Sequence, residues 1–236
     1  MAKVHHPILG KPALITGASS GLGRELAILF SESGHVILSG RNLAELEVTR
    51  QHCKNPANTT IVCGDLSDSA IRARLAYFAD LYRTHFLICC AGEYLSGPLE
   101  TANPEDIQSV LASNLTATIS LTQEVYKVLL RFHEGCIINI NSLAGKVAAS
   151  DEPVYCASKH GLTGFFRALR YAAGQKNIRV VDVFLGGTQT PMTSHRQDHE
   201  YLISPKEAAQ VIYSTAVSTY QTCFVEDITL GRFRFQ

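Results

Sequence analysis

Thr16-Gly17-Ala18-Ser19-Ser20-Gly21-Leu22-Gly23 follows a short apolar run at 13–16 and leads into Leu22, Leu26, Leu29 and Phe30, which are spaced for one face of a helix. A strand, a glycine-rich turn and a helix in that order read as the opening of a parallel α/β unit. Glycines there let the chain turn tightly, let backbone N–H groups approach a pyrophosphate, and let the helix pack closely on its strand. The alternative is a glycine-rich turn with no ligand. The spacing departs from the common G-x-G-x-x-G, so the strand–turn–helix context carries the reading.

The rest of the chain repeats this grammar. Short β-branched runs at 13–16, 36–39, 60–63, 86–90, 136–140, 179–184 and 223–229 alternate with helical patterns. That alternation predicts a Rossmann-like, doubly wound α/β fold: a seven-stranded parallel sheet flanked by six helices on both faces. Ile107, Val110, Leu111 and Leu115 mark one of the later helices. Asn103-Pro104-Glu105 and Ser204-Pro205-Lys206-Glu207 read as helix starts with proline at the first position, the second being a capping box. No linker, repeat or low-complexity tract divides the sequence, so 1–236 reads as a single domain with 1–10 as a short N-terminal extension.

Composition narrows the function. At 236 residues, 46% hydrophobic and 18% charged, the chain can bury a large core and is too apolar for disorder. Lys plus Arg (21) equals Asp plus Glu (21), so no net field draws it to nucleic acid or an anionic membrane, and neither partner is expected. No run of about 18 apolar residues is available to cross a bilayer. The extension carries His5 and His6 but no apolar export signal, which points to the cytoplasm. Cys53, Cys63, Cys89, Cys90, Cys136, Cys156 and Cys223 are odd in number and lack ligand spacing, so neither a disulfide framework nor a metal is expected.

At the adenosine end of a dinucleotide, the second strand closes on Ser39-Gly40-Arg41-Asn42, where such folds usually carry an acid. No carboxylate repels a 2′-phosphate there, and Arg41 can pair with it, which favours NADP(H) over NAD(H). The bland reading is a solvated arginine beside a helix start at Asn42, with Glu45 completing a capping-box pair. Asp65, in Cys63-Gly64-Asp65-Leu66, either accepts from the adenine amino group or caps a helix beginning near Ser67.

Of nine tyrosines, only Tyr155 has a lysine four positions on, Lys159, so the phenol and the ammonium share one helix face. Ser142 lies thirteen positions earlier, at the end of the fifth strand, where doubly wound sheets hold ligands. Asn114 falls in an apolar stripe with Ile107, Val110 and Leu111. A buried amide needs partners, either a water or backbone carbonyl near the site or a bond tying helix to strand.

Together these residues resemble the short-chain dehydrogenase/reductases. The likeness runs over about 11–229 and rests on Thr16-Gly17, Gly21, Gly23, Asp65, Ala91-Gly92, Asn114, Ser142 and Tyr155 with Lys159. It implies that Asn114, Ser142, Tyr155 and Lys159 interconvert an alcohol and its ketone or aldehyde against a nicotinamide. The implied cofactor contacts are Gly17, Ser19, Ser20, Gly21, Leu22, Gly23, Arg41, Asp65, Leu66, Ala91, Gly92, Tyr155, Lys159, Gly186, Thr188 and Thr190. In that chemistry Tyr155 gives a proton to the carbonyl oxygen while Ser142 fixes it, and Lys159, helped by the positive oxidised nicotinamide, draws the phenol down from its ordinary pKa of about 10. Asn114 would hold a water. Assembly into a homodimer or homotetramer through the helices at 104–132 and 154–174 is implied as well.

Two departures stand out. The family's Asn-Asn-Ala-Gly reads Cys89-Cys90-Ala91-Gly92, which removes two polar side chains, and its Pro-Gly reads Leu185-Gly186, which predicts a looser turn. Twelve residues between Met192 and Pro205 leave a short lid. Glu93, Tyr94, Ala144, Val147, His195, Arg196, His199 and Tyr201 are candidate pocket residues, with Arg196 a possible attractor of an acidic substrate. Outside catalysis, the same fold serves a non-catalytic NADP(H)-binding sensor, which has no need of Ser142, Tyr155 or Lys159. An epimerase or dehydratase is disfavoured because such proteins usually carry a longer C-terminal substrate region.

Overall fold

A computed structural model describes residues 9–218 and 223–232; most of the 1–10 extension, with His5 and His6, lies outside them. Seven strands form one sheet: β1 (Ala13–Thr16), β2 (Val36–Gly40), β3 (Thr59–Cys63), β4 (Phe86–Cys89), β5 (Gly135–Ser142), β6 (Ile178–Leu185) and β7 (Asp227–Leu230). Their order is β3-β2-β1-β4-β5-β6-β7, and every pairing is parallel. The winding reverses between β1 and β4, which opens a crevice at the carboxyl ends of those strands.

Successive strand residues feed opposite faces. Ala13 and Ile15 join one core with Leu22, Leu26 and Phe30 of α1 (Gly21–Phe30), Leu46 of α2 (Leu43–His52) and Ile212 of α7 (Pro205–Val217). Leu14 joins the other, with Leu75 of α3 (Ser69–Leu81), Leu121 and Val125 of α5 (Ala117–Phe132), and Leu162 and Phe166 of α6 (Pro153–Gly174). Burial on both faces explains why the strands read as unbroken apolar runs.

A short α4 (Pro104–Val110) continues through a π turn, Leu111–Thr116, into α5, so the sixfold helical pattern holds with one helix locally widened. Asn103 accepts from the Glu105 amide at 3.0 Å, and Ser204 from the Glu207 amide at 3.4 Å. The strand expected at 223–229 starts later, at Asp227. Cys223, Phe224 and Val225 are apolar but exposed, and β7 meets β6 only from Asp182 onward. Strands β5 and β6 run further than expected, to Ser142 and Leu185. Among the described residues, no helix is long and apolar enough to cross a membrane.

Candidate active site

A cavity of about 650 Å³ runs along the carboxyl ends of the strands, from the glycine turn to the loop after β6. All the expected cofactor-side residues, from Gly17 through Thr190, line it. Gly17 has φ +65°, and a Cβ there would sit 2.9 Å from the Ala91 amide nitrogen. A Cβ on Gly23 would lie 2.2 Å from the Gly17 carbonyl oxygen, so helix and turn can approach only as glycines. Ser20 precedes α1 without a side-chain cap, and no acid stands in the first turn. The helix therefore offers unclaimed N–H groups to the cavity, which fits a pyrophosphate.

The turn is braced by residues the motif did not single out. Thr16 Oγ1 accepts from the amides of Cys90 and Ala91, both at 3.1 Å, tying the segment after β4 to β1. Arg24 donates to the Ser19 carbonyl and to Glu45 Oε2, the latter at 2.5 Å. Asn42 does cap α2, accepting from the Glu45 amide at 3.2 Å, but the Glu45 carboxylate turns to Arg24 and does not close a capping box. Asp65 accepts from the Ser67 amide at 2.7 Å, which holds its carboxyl below the usual range. It does not cap α3, which starts at Ser69 under Asp68.

Arg41 stands at the adenosine end with its side chain 64% exposed. It is not free. Its guanidinium is bonded to Glu93, 52 residues on, and lies 4.0 Å from Asp65. Glu93 also accepts from Ser109 at 3.1 Å.

Asn114 sits in the π turn, 1% exposed, behind the cavity wall. Its Oδ1 accepts from the Glu93 amide at 2.6 Å; its Nδ2 donates to the Glu93 carbonyl at 2.8 Å and to Ser158 Oγ at 3.2 Å. The amide is thus satisfied by protein, clamping the segment after β4 to α6. Ser142, Tyr155 and Lys159 meet on one wall. The helical spacing brings the Lys159 ammonium to 5.6 Å from the Tyr155 ring centre, and it donates to the Ile140 carbonyl at 3.3 Å.

Without a nicotinamide, Lys159 alone does not lower the Tyr155 pKa. Burial pushes the phenol up to about 12, partly offset by the Ser142 hydroxyl, and the Glu152 carboxylate adds to the rise. Burial also pulls Lys159 down to about 8, against the pull of the Asp182 carboxylate. Desolvation is the largest cause at both groups.

A model of the short chain dehydrogenase family matches residues 11–201. The chain belongs to the short chain dehydrogenase family. It is 30% identical over 230 residues to sepiapterin reductase of Chlorobaculum tepidum, covering 92% of this chain and 94% of that protein. It is 31% identical to the 3-oxoacyl-(acyl-carrier-protein) reductase FabG of Rickettsia conorii, over 90% of this chain and 84% of that one. An actinorhodin polyketide ketoreductase solved with NADPH shares the fold, with TM-score 0.84 and 24% identity over 94% of this chain and 95% of the other.

As a short chain dehydrogenase the chain departs from the family pattern in ways the geometry explains. Cys89 packs in the core, its thiol pushed up to about 12 by burial, while the Cys90 and Ala91 amides are held by Thr16. Leu185 is the last residue of β6, in register with Ser142 on one side and Leu230 on the other, and the Gly186 amide that follows donates to the Leu230 carbonyl at 2.9 Å. Glu93, Tyr94, Ala144, Val147, His195 and Arg196 line the cavity; His199 and Tyr201 do not. His199 is turned onto the Thr190 carbonyl, and Tyr201 is 71% exposed. Arg196 holds Asp198 through two bonds of 2.8 and 3.1 Å, so it is not a free cation for an acidic substrate. Tyr94, edge-on to Tyr155, donates to Glu152 Oε1 at 2.6 Å. Glu152, with no more distinctive signal than a helix start, was not foreseen as a pocket residue.

Proposed function

We propose that this chain is an NADP(H)-dependent oxidoreductase that interconverts a small alcohol and its ketone or aldehyde, with Tyr155 as the general acid/base. The observation that carries the reading is one continuous cavity with Tyr155, Ser142 and Lys159 at one end and the glycine turn and Arg41 at the other. A nicotinamide bound there supplies the hydride.

The chain's own residues do the rest. The Gly17–Gly23 turn and the amides opening α1 bind the pyrophosphate, and Arg41 takes the 2′-phosphate, which favours NADP(H) over NAD(H). Tyr155 keeps its proton on the phenolic oxygen well above neutral pH, ready for a carbonyl oxygen. The Ser142 hydroxyl donates to the same oxygen and fixes it. The Lys159 ammonium stabilises the phenolate left behind, and Asn114 holds the Glu93 backbone that walls the site. The two relatives named above are reductases by name, which supports reduction as the working direction. The partner is a small molecule, with no role for nucleic acid or membrane. A cytoplasmic homodimer or homotetramer built through the helices at 104–132 and 154–174 rests on the family resemblance.

Purified protein should consume NADPH absorbance with members of a panel of ketones and aldehydes. Tyr155→Phe should abolish that turnover and leave NADPH binding nearly intact. NADPH binding by the wild type without turnover of any panel member would replace this reading with that of a cofactor sensor.

A further inference from the structure

Strand β6 carries a carboxylate in the interior. Asp182 is 0% exposed and stands opposite Asn139 in the β5–β6 register. Its two oxygens are both met by side-chain amides: Asn139 Nδ2 donates at 2.8 Å and Asn141 Nδ2 at 3.4 Å. An acceptor pair receiving only N–H donors suits an ionised carboxylate, although burial raises the Asp182 pKa above its ordinary value while the two amides and Arg170 pull it back. A buried anion of this kind costs free energy unless it faces positive charge.

Asn141 links that anion to the active site. Its Nδ2 also donates to Thr163 Oγ1 at 2.9 Å and to the backbone carbonyl of Lys159 at 3.4 Å. Its Oδ1 accepts from the Ser142 amide at 2.8 Å. A Cβ on Gly145 would lie 2.7 Å from that same oxygen, so the loop after β5 is packed tightly against Asn141. One side chain thus touches Asp182, the backbone of Ser142 and the helix turn that carries Lys159.

The Lys159 ammonium, 6% exposed, has the Ile140 carbonyl as its bonding partner among the described residues and no carboxylate in direct contact. The charged and titratable groups around it are Asp182 of β6, the thiols of Cys89 at the end of β4 and of Cys90 just after it, and Tyr155 of its own helix. Both thiols are pushed far above neutral pH by burial and stay uncharged. Asp182 in turn faces Arg170 of α6 and Asp227 of β7, which are bonded to each other at 2.7 Å. The anion left to balance Lys159 is Asp182.

We propose that Asp182 is a positioning residue of the active site: through Asn141 it fixes Ser142 and the Lys159 turn, and its charge keeps the Lys159 ammonium protonated. The proposal rests on the reading of Tyr155 and Lys159 given above, but its test does not depend on it. The probe is the Cε–Hε NMR resonance of Lys159 in the full chain, assigned with Lys159→Arg and titrated without ligand.

In the wild type the midpoint should lie near 8. In Asp182→Asn, which keeps shape and removes charge, it should move toward acid by about half a pH unit or more. Asp182→Ser gives the same answer if the amide variant does not fold. An unmoved midpoint in a folded, uncharged variant overturns the proposal. With NADPH and 2,3-butanedione as probe, the alkaline limb of kcat should move in step, whereas a purely structural role would lower kcat equally at every pH. If Tyr155→Phe retains turnover, the catalytic reading fails, and the resonance still decides Asp182.

Discussion

Changing Arg41 and Glu93 separately tests how the chain chooses its cofactor. In the proposed complex Arg41 pairs with the 2′-phosphate, and charge-assisted bonds of that kind contribute about 1.5–3 kcal/mol. Arg41→Leu should therefore weaken NADPH binding by roughly 10- to 150-fold and leave NADH binding within about threefold. Glu93 already occupies that guanidinium, so the phosphate must displace a carboxylate. The arginine side chain is 64% exposed and the carboxylate 22%, so solvent screens the pair from the arginine side, and ion pairs of that kind are worth about 0.2–1 kcal/mol. Glu93→Gln should then tighten NADPH by about 1.5- to 5-fold at low salt, with the gain shrinking as salt screens the pair. Titration of cofactor fluorescence at two ionic strengths reads both effects. If Arg41→Leu weakens NADPH and NADH alike, the phosphate contact is refuted. If Glu93→Gln weakens NADPH, Glu93 supports the cofactor and does not compete with it.

Three further outcomes follow from the geometry. Gly23→Ala places a Cβ 2.2 Å from a backbone oxygen and should cost at least about 2 kcal/mol, lowering Tm by roughly 4–8 °C; Gly164→Ala, with nothing within 4 Å, should be neutral or slightly stabilising in the same calorimetric scan. Lys159 has a folded pKa near 8, below its unfolded 10.5, so the unfolded chain holds the extra proton between those values and stability rises with pH across that window; urea midpoints of Lys159→Met should lose that rise. His85, buried with both ring nitrogens unpartnered among the described residues, has its pKa pulled from 6.5 to about 4 by burial. Stability should fall as pH drops through that window, by up to about 3 kcal/mol, and His85→Leu should flatten the fall in acid-unfolding curves.

The fold was legible because a parallel sheet covered on both faces forces apolar runs such as Ala13–Thr16 and Phe86–Cys89. The same signal misled at Cys223, Phe224 and Val225, which are apolar without being paired. The end of β5 was hidden for the opposite reason: Asn141 and Ser142 look like loop residues until one sees that Asn141 is satisfied by Asp182 of β6 and by the Ser142 amide. Site residues carried by local spacing, such as Tyr155 with Lys159, or by the glycine turn, were readable. Partnerships across 52 residues, Arg41 with Glu93, or 58, Tyr94 with Glu152, left no local trace. Asn114 was readable as a buried amide but not as a clamp on Glu93, because the π turn that aims it has no pattern of its own.

Burial sets the proton inventory of this site more than the Tyr155–Lys159 contact does. In water a phenol and an ammonium titrate within about half a unit of each other. Here desolvation drives them apart, the phenol up to about 12 and the ammonium down to about 8. Near neutral pH Tyr155 is therefore a proton donor, while Lys159 changes charge just above neutrality. In the proposed reaction the group whose ionisation governs alkaline pH dependence is therefore the lysine, although the proton leaves from the tyrosine. That division is the ground for the role proposed for Asp182, which would act on the one group whose charge is in question.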